Sequence, residues 1–143
     1  GVAVDLAPEP LALAADNFRL LGVAERLELR QGSWYEPVPE TERFDAIVSN
    51  PPYICTDEIA KLMPEVRDFE PMEALDGKED GLYFYRKIIG QCKQYLNPEG
   101  HLLFEIGYDQ GQKVSALMRE IGFHDVQVIK DLARKDRVVT GML

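Results

Sequence analysis

The chain has 143 residues, 45% of them hydrophobic, and a formal net charge of −9. That length suits one domain with a substantial core, and the apolar content is that of an ordinary soluble globular protein. No apolar run is long enough to span a bilayer, the first residues do not read as a signal peptide, and the acidic balance argues against a nucleic-acid groove, which demands a basic footprint.

Predicted strands and helices alternate, the pattern of a parallel α/β sheet. Residues 1–6 predict a short strand ending at Asp5. Pro8 opens a helix where proline is best tolerated and Gly22 closes it, with Leu11, Ala14, Ala15, Phe18 and Leu21 on one face. Residues 27–31 predict the next strand, followed by the turn Gly32-Ser33-Trp34-Tyr35. Residues 44–49 read as a buried parallel strand. Residues 55–78, interrupted by Pro64, Pro71 and Gly77, read as irregular, and loops of that length usually serve as lids or binding surfaces.

A helix is predicted over 80–96, then a turn at Asn97-Pro98-Glu99-Gly100 and a buried strand over 101–106. Glu105 inside that strand is a carboxylate that would need partners if buried. Asp109 and Gln112 read as a capping box for a helix whose buried stripe is Val114, Leu117, Met118 and Ile121. Residues 125–130 and 137–142 predict a closing antiparallel pair at the sheet's edge. No internal repeat and no second domain is visible, so residues 1–143 read as one domain.

Cys55 and Cys92 match no metal spacing, and no metal site is expected. Cys92 falls on the apolar face of its predicted helix as a buried thiol, whereas Cys55 sits near a candidate pocket rim. Free cysteines fit a reducing, intracellular setting. A basic protein partner would suit the acidic surface better than nucleic acid would.

The most informative residues are Asn50-Pro51-Pro52-Tyr53, placed where a strand's carboxyl end meets a loop. Open α/β sheets bind ligands at that edge. The Asn50 amide oxygen can accept one hydrogen of an –NH2 group and the Pro51 carbonyl the other. Pro52 helps Pro51 to stiffen the turn, and Tyr53 offers a flat face for a planar amide or base. This is a clamp for a conjugated –NH2, and the chemistry that needs it is nitrogen methylation. As a bland alternative, the four residues could form only a rigid turn. Asp5, at a strand end, could likewise do no more than cap the helix that follows. A nucleotide-binding α/β domain opens with a strand and a glycine-rich turn about twenty residues before its ribose-binding acid. Only four residues precede Asp5, so the chain is expected to begin one strand and one loop late.

Val48-Ser49-Asn50-Pro51-Pro52-Tyr53-Ile54 closely resembles the signature of the protein-(glutamine) methyltransferases that modify peptide chain release factors, the HemK/PrmC type. Further segments are similar: Phe69-Glu70-Pro71-Met72-Glu73-Ala74-Leu75, Asp80-Gly81-Leu82, Leu102 to Gly107 with Gln110-Gly111, and Arg137-Val138-Val139. The resemblance covers essentially the whole chain. It implies the catalytic domain of a cytoplasmic S-adenosylmethionine-dependent N-methyltransferase, with S-adenosylhomocysteine as product and a release factor as protein substrate. The implied fold is the Rossmann-like class I methyltransferase sheet, mostly parallel with an antiparallel C-terminal strand and its first strand missing.

Residue by residue, the resemblance implies that Asp5 holds the ribose hydroxyls of the cofactor. Ser33 and Trp34 border its adenine, and Asn50 also faces the cofactor. Asn50, Pro51, Pro52 and Tyr53 bind the substrate glutamine, with Asn50, Pro51 and Tyr53 acting in catalysis. The family's glycine-rich loop and its N-terminal recognition domain have no counterpart here. Asn-Pro-Pro-Tyr also marks enzymes that methylate amino groups of RNA or DNA bases, which is one alternative. A catalytically silent binding module is another.

Overall fold

The computed structural model describes residues 1–143, which form two compact units, residues 1–42 and 43–143. In the first unit, Val2–Asp5 (β1) and Glu28–Gln31 (β2) pair in parallel, with Asp5 opposite Gln31. Pro8–Leu20 (α1) connects them, beginning at the tolerated proline as expected and giving way at Gly22, whose φ of 67° favours glycine. Leu11, Ala14, Ala15 and Phe18 share the inward face, but each is only half-buried, and Leu21 is exposed.

The second unit holds a four-stranded sheet in the order β3-β4-β6-β5, built from Phe44–Ser49 (β3), Leu96–Glu105 (β4), His124–Lys130 (β5) and Asp136–Met142 (β6). β3 and β4 run parallel, and β6 is antiparallel to both β4 and β5. The predicted parallel core with an antiparallel C-terminal strand is therefore present. β3 itself is not buried, contrary to expectation. It is an edge strand of this sheet, with one strand neighbour and Val48 largely exposed.

The core lies between this sheet and two helices, Tyr83–Cys92 (α5) and Gly111–Glu120 (α6). α5 buries Tyr85, Ile88, Ile89 and Cys92, while α6 buries Val114 and Met118. Leu102, Phe104 and Ile106 meet them from the sheet, with the Phe104 ring edge-on to Tyr85 at 5.2 Å. Such a pair adds to ordinary apolar burial through the complementary charge distributions of ring edge and face.

Three expectations are corrected. The turn at residues 97–100 does not end an element but bulges within β4: Phe44 pairs with Leu96, while Ala46, two residues on, pairs with His101. Pro98 has no N–H to lend to a ladder and Glu99 takes φ 62°, so the extra residues loop out. Second, no side chain caps α6; its first flanking residue is Gln110, and Asp109 lies outside. Third, the irregular stretch contains three single-turn helices, Thr56–Ile59 (α2), Pro64–Arg67 (α3) and Met72–Leu75 (α4).

Candidate functional site

β3 delivers Asn50 to Tyr53 at the carboxyl end of a parallel strand, as its position in the sequence requires. Asn50 is exposed, the Pro51 ring is fully buried, and Pro52 and Tyr53 are half-buried. The turn is thus anchored by proline packing while the Asn50 amide faces solvent. Just beyond it, the chain leaves through α2, α3 and α4 and returns alongside itself. The Ile54 N–H donates to Leu75 O at 3.0 Å, Gly77 N–H to Ile54 O at 2.8 Å, and Thr56 N–H to Lys78 O at 3.1 Å.

Asp76 pins that return. Its carboxylate accepts from Thr56 Oγ1 at 2.7 Å, from the Lys78 N–H at 2.9 Å and from Lys78 Nζ at 2.9 Å. The Lys78 side-chain bond, then those from Thr56 and the Lys78 backbone, hold its pKa down at about 2.

Behind Tyr53 lies a polar cluster in otherwise apolar surroundings. Gln110 Nε2 donates to the Tyr53 carbonyl at 3.0 Å and to the Gly81 carbonyl at 3.2 Å, and Gln110 Oε1 accepts from the Gly107 N–H at 2.9 Å. Tyr85 Oη donates to Glu105 O at 2.9 Å and lies 3.3 Å from Gln110 Oε1. Burial, with Tyr53 and Glu105 close by, pushes the Tyr85 hydroxyl well above the ordinary tyrosine range. From sequence, Gln110 stands only within the resembling segments and receives no role. The one local hint was its place between Gly107 and Gly111 at the join of a buried strand and a helix, which says nothing of its partners.

Glu105 is not the buried carboxylate considered above. Its side chain points to the half-open face of β4, 41% exposed and 4.0 Å from Arg137. Arg137 also reaches Asp131 at 3.3 Å and the Ile106 carbonyl at 3.4 Å. Burial works against its charge, but the Asp131 bond, aided by Tyr53 and Glu105 nearby, holds its pKa above the usual arginine value.

The first unit carries the other predicted residues. Asp5 ends β1, and its Oδ1 accepts the Ala7 N–H at 2.9 Å, which orients the carboxylate; Oδ2 is left available. The Gly32 N–H donates to Asp5 O at 3.0 Å, so the turn after β2 begins beside Asp5. Ser33 and Trp34 follow at once, both half-buried, with Trp34 at φ 53° and the Ser33 N–H bonded to Glu36. Asp5, Ser33 and Trp34 therefore share one carboxyl edge of the β1–β2 pair. An oriented acid with an available oxygen beside a turn bearing a large aromatic fits a ribose diol and its base. Asp5, Ser33 and Trp34 belong to the first unit and the Asn50–Tyr53 turn to the second.

No protein-family model matches the chain. Comparison with curated proteins is more decisive. The chain is 50% identical to a release factor glutamine methyltransferase of Cereibacter sphaeroides over 143 residues, all of this chain and 51% of the relative. It is 43% identical to that of Clostridium acetobutylicum over 139 residues, 96% of this chain and 49% of the relative. By sequence, the chain is similar over its whole length to release factor glutamine methyltransferases. It spans about half the length of the curated relatives it matches.

Solved structures agree on the fold. A methyltransferase from Pyrococcus furiosus superposes with a TM-score of 0.67 at 16% identity, covering 99% of this chain and 61% of the other. A release factor-specific protein-(glutamine-N5) methyltransferase from Alicyclobacillus acidocaldarius gives 0.53 at 23% identity, covering 99% and 77%. The fold is thus the Rossmann-like one of the class I methyltransferases.

Proposed function

We propose that this chain is the larger part of the catalytic domain of an S-adenosylmethionine-dependent enzyme that methylates a glutamine side-chain nitrogen in a peptide chain release factor. The observation that carries this reading is Asn50-Pro51-Pro52-Tyr53 at the carboxyl end of parallel β3, in a chain 50% identical to a release factor glutamine methyltransferase. Asp5 would hold the ribose hydroxyls, with Ser33 and Trp34 beside the adenine.

S-adenosylmethionine, when bound, supplies an electrophilic methyl group on a sulfonium. The protein's part is to present the nucleophile. An amide nitrogen is a poor one, because its lone pair is shared with the carbonyl. Asn50 Oδ1 and Pro51 O accept its two hydrogens and turn the lone pair toward the methyl carbon, while Tyr53 packs on the amide plane. Held by Asp5, Ser33 and Trp34, that cofactor would supply the methyl group to the nitrogen and would leave as a neutral thioether. Positive charge growing on nitrogen strengthens both hydrogen bonds, so the clamp binds the transition state better than the ground state. The surplus proton then leaves to water.

An acidic chain suits a basic protein substrate. The segment after the clamp carries Asp57, Glu58, Glu65, Asp68, Glu70 and Glu73 around the exposed Met63, Phe69 and Met72. No helix is long and apolar enough to cross a membrane. Buried, free Cys92 and half-buried, free Cys55 favour a cytoplasmic setting.

The test is to incubate the full-length protein containing this chain with S-adenosylmethionine and a release factor, and to map methylation by peptide mass spectrometry. One added methyl on a single glutamine is expected. A modified base in added RNA or DNA, with the release factor untouched, would move the activity to the alternative substrate class.

A further inference from the structure

We infer that Gln110 is a positioning residue that sets the Asn50–Tyr53 clamp from behind, an inference that rests on the proposed reading of that turn as the substrate clamp. Gln110 is only 5% exposed, yet its amide is fully used. Its two N–H groups hold the Tyr53 and Gly81 carbonyls, and its oxygen holds the Gly107 N–H and faces Tyr85 Oη. One side chain therefore ties the last residue of the clamp to the turn before α5 and to the turn after β4.

The glycines around it are fitted to that arrangement. A Cβ on Gly81 would collide with the Tyr53 carbonyl oxygen and lie 2.7 Å from Gln110 Nε2, and the φ of +70° there already favours glycine. A Cβ on Gly77 would lie 2.7 Å from Tyr53 Cα. On Gly107 it would lie 3.0 Å from Gln110 Oε1 and 3.4 Å from Tyr53 Cδ2. At Gly77 and Gly81 the backbone thus closes on Tyr53 at distances that leave no room for a side chain, and at Gly107 a Cβ fits only if Gln110 gives way slightly. A fully satisfied buried amide of this kind rigidifies its surroundings, whereas a half-satisfied one costs more than an apolar replacement. The clamp is useful only if its acceptors are in place before substrate binds, and Gln110 supplies that restraint through the Tyr53 main chain, without touching substrate.

The test uses the full-length protein with Gln110→Met, which keeps the length and removes every hydrogen bond, and with Gly107→Ala, which nudges Gln110 and Tyr53 while leaving the amide intact. At a temperature where each variant is fully folded, kcat on a glutamine-bearing release factor should fall about tenfold or more for Gln110→Met and by a few-fold for Gly107→Ala. S-adenosylhomocysteine affinity should stay within about twofold, since Gln110 is tied to the clamp rather than to Asp5. A Gln110→Met enzyme with a lowered melting temperature but unchanged kcat overturns the inference and leaves Gln110 as packing. If Gln110→Met does not fold, Gly107→Ala decides by the same readout. If the wild type methylates no glutamine, the proposed function fails separately. The crystal structure of Gln110→Met, or of Gly107→Ala if the former does not fold, then judges the positioning role: a displaced Tyr53 main chain supports it, and an unmoved one overturns it.

Discussion

On the proposed mechanism, Asn50→Ala should separate catalysis from folding. Asn50 is exposed and takes no part in the hydrogen bonds that hold its turn; those run through Ile54, Thr56, Asp76, Gly77, Lys78 and Gln110. Removing its amide should therefore change stability by no more than about 0.5 kcal/mol. On the proposed mechanism, the same amide accepts from a nitrogen gaining positive charge in the transition state. A hydrogen bond to a charged group contributes about 1.5–3 kcal/mol, which corresponds to roughly a ten- to 150-fold loss in kcat. Asn50→Asp keeps an acceptor oxygen and should lose less than Asn50→Ala. The assay is single-turnover methylation of a release factor with saturating S-adenosylmethionine, beside a thermal melt of each variant. A folded Asn50→Ala enzyme retaining more than about a third of wild-type kcat would refute the clamp mechanism.

Asp5→Ala should weaken S-adenosylhomocysteine binding by about tenfold or more, read by calorimetry on the full-length protein, because the ribose loses a charged acceptor that Ala7 now orients. The Cys92 thiol, fully buried with Sγ 3.1 Å from Ile89 O, is pushed up to about 11 by burial. The folded-state value lies above the unfolded one, so this contribution to stability is complete below about pH 9 and is lost as pH rises toward 11; Cys92→Ala should flatten that part of the denaturation profile. Asp76 behaves oppositely. Its folded-state pKa of about 2 lies below the unfolded value, so its contribution is present above about pH 4 and disappears as pH falls through 2. Asp76→Asn should remove that acid dependence and raise hydrogen exchange at Thr56 and Lys78. Phe104→Ala, at a fully buried site edge-on to Tyr85, should destabilise the protein by about 3–5 kcal/mol in urea.

Much of this could be read along the chain. Local chemistry placed α1 between Pro8 and Gly22, and two prolines after a strand marked the turn at Asn50 to Tyr53. These features depend on neighbours in sequence, so sequence was sufficient. The errors fall where distant residues decide. The residues at 97–100 look like any loop until β3 is laid beside β4 and the two strands are found out of step by a bulge. Glu105 looks buried within an apolar run, but strand alternation turns it to the half-open face, where Arg137 approaches.

Sequence by itself determined the α/β class, the Asn50–Tyr53 turn after a strand, the Asp5 position at a strand end and the kinship with the release factor glutamine methyltransferases. Each is a short pattern whose meaning survives without coordinates. Only the tertiary structure decided what holds the clamp. Gln110 lies 57 residues from Tyr53, and a Gln-Gly pair carries no local sign of its partners. The four groups that its amide joins come together only when the sheet, α5 and the returning loop are packed. A buried amide must then satisfy every donor and acceptor it has.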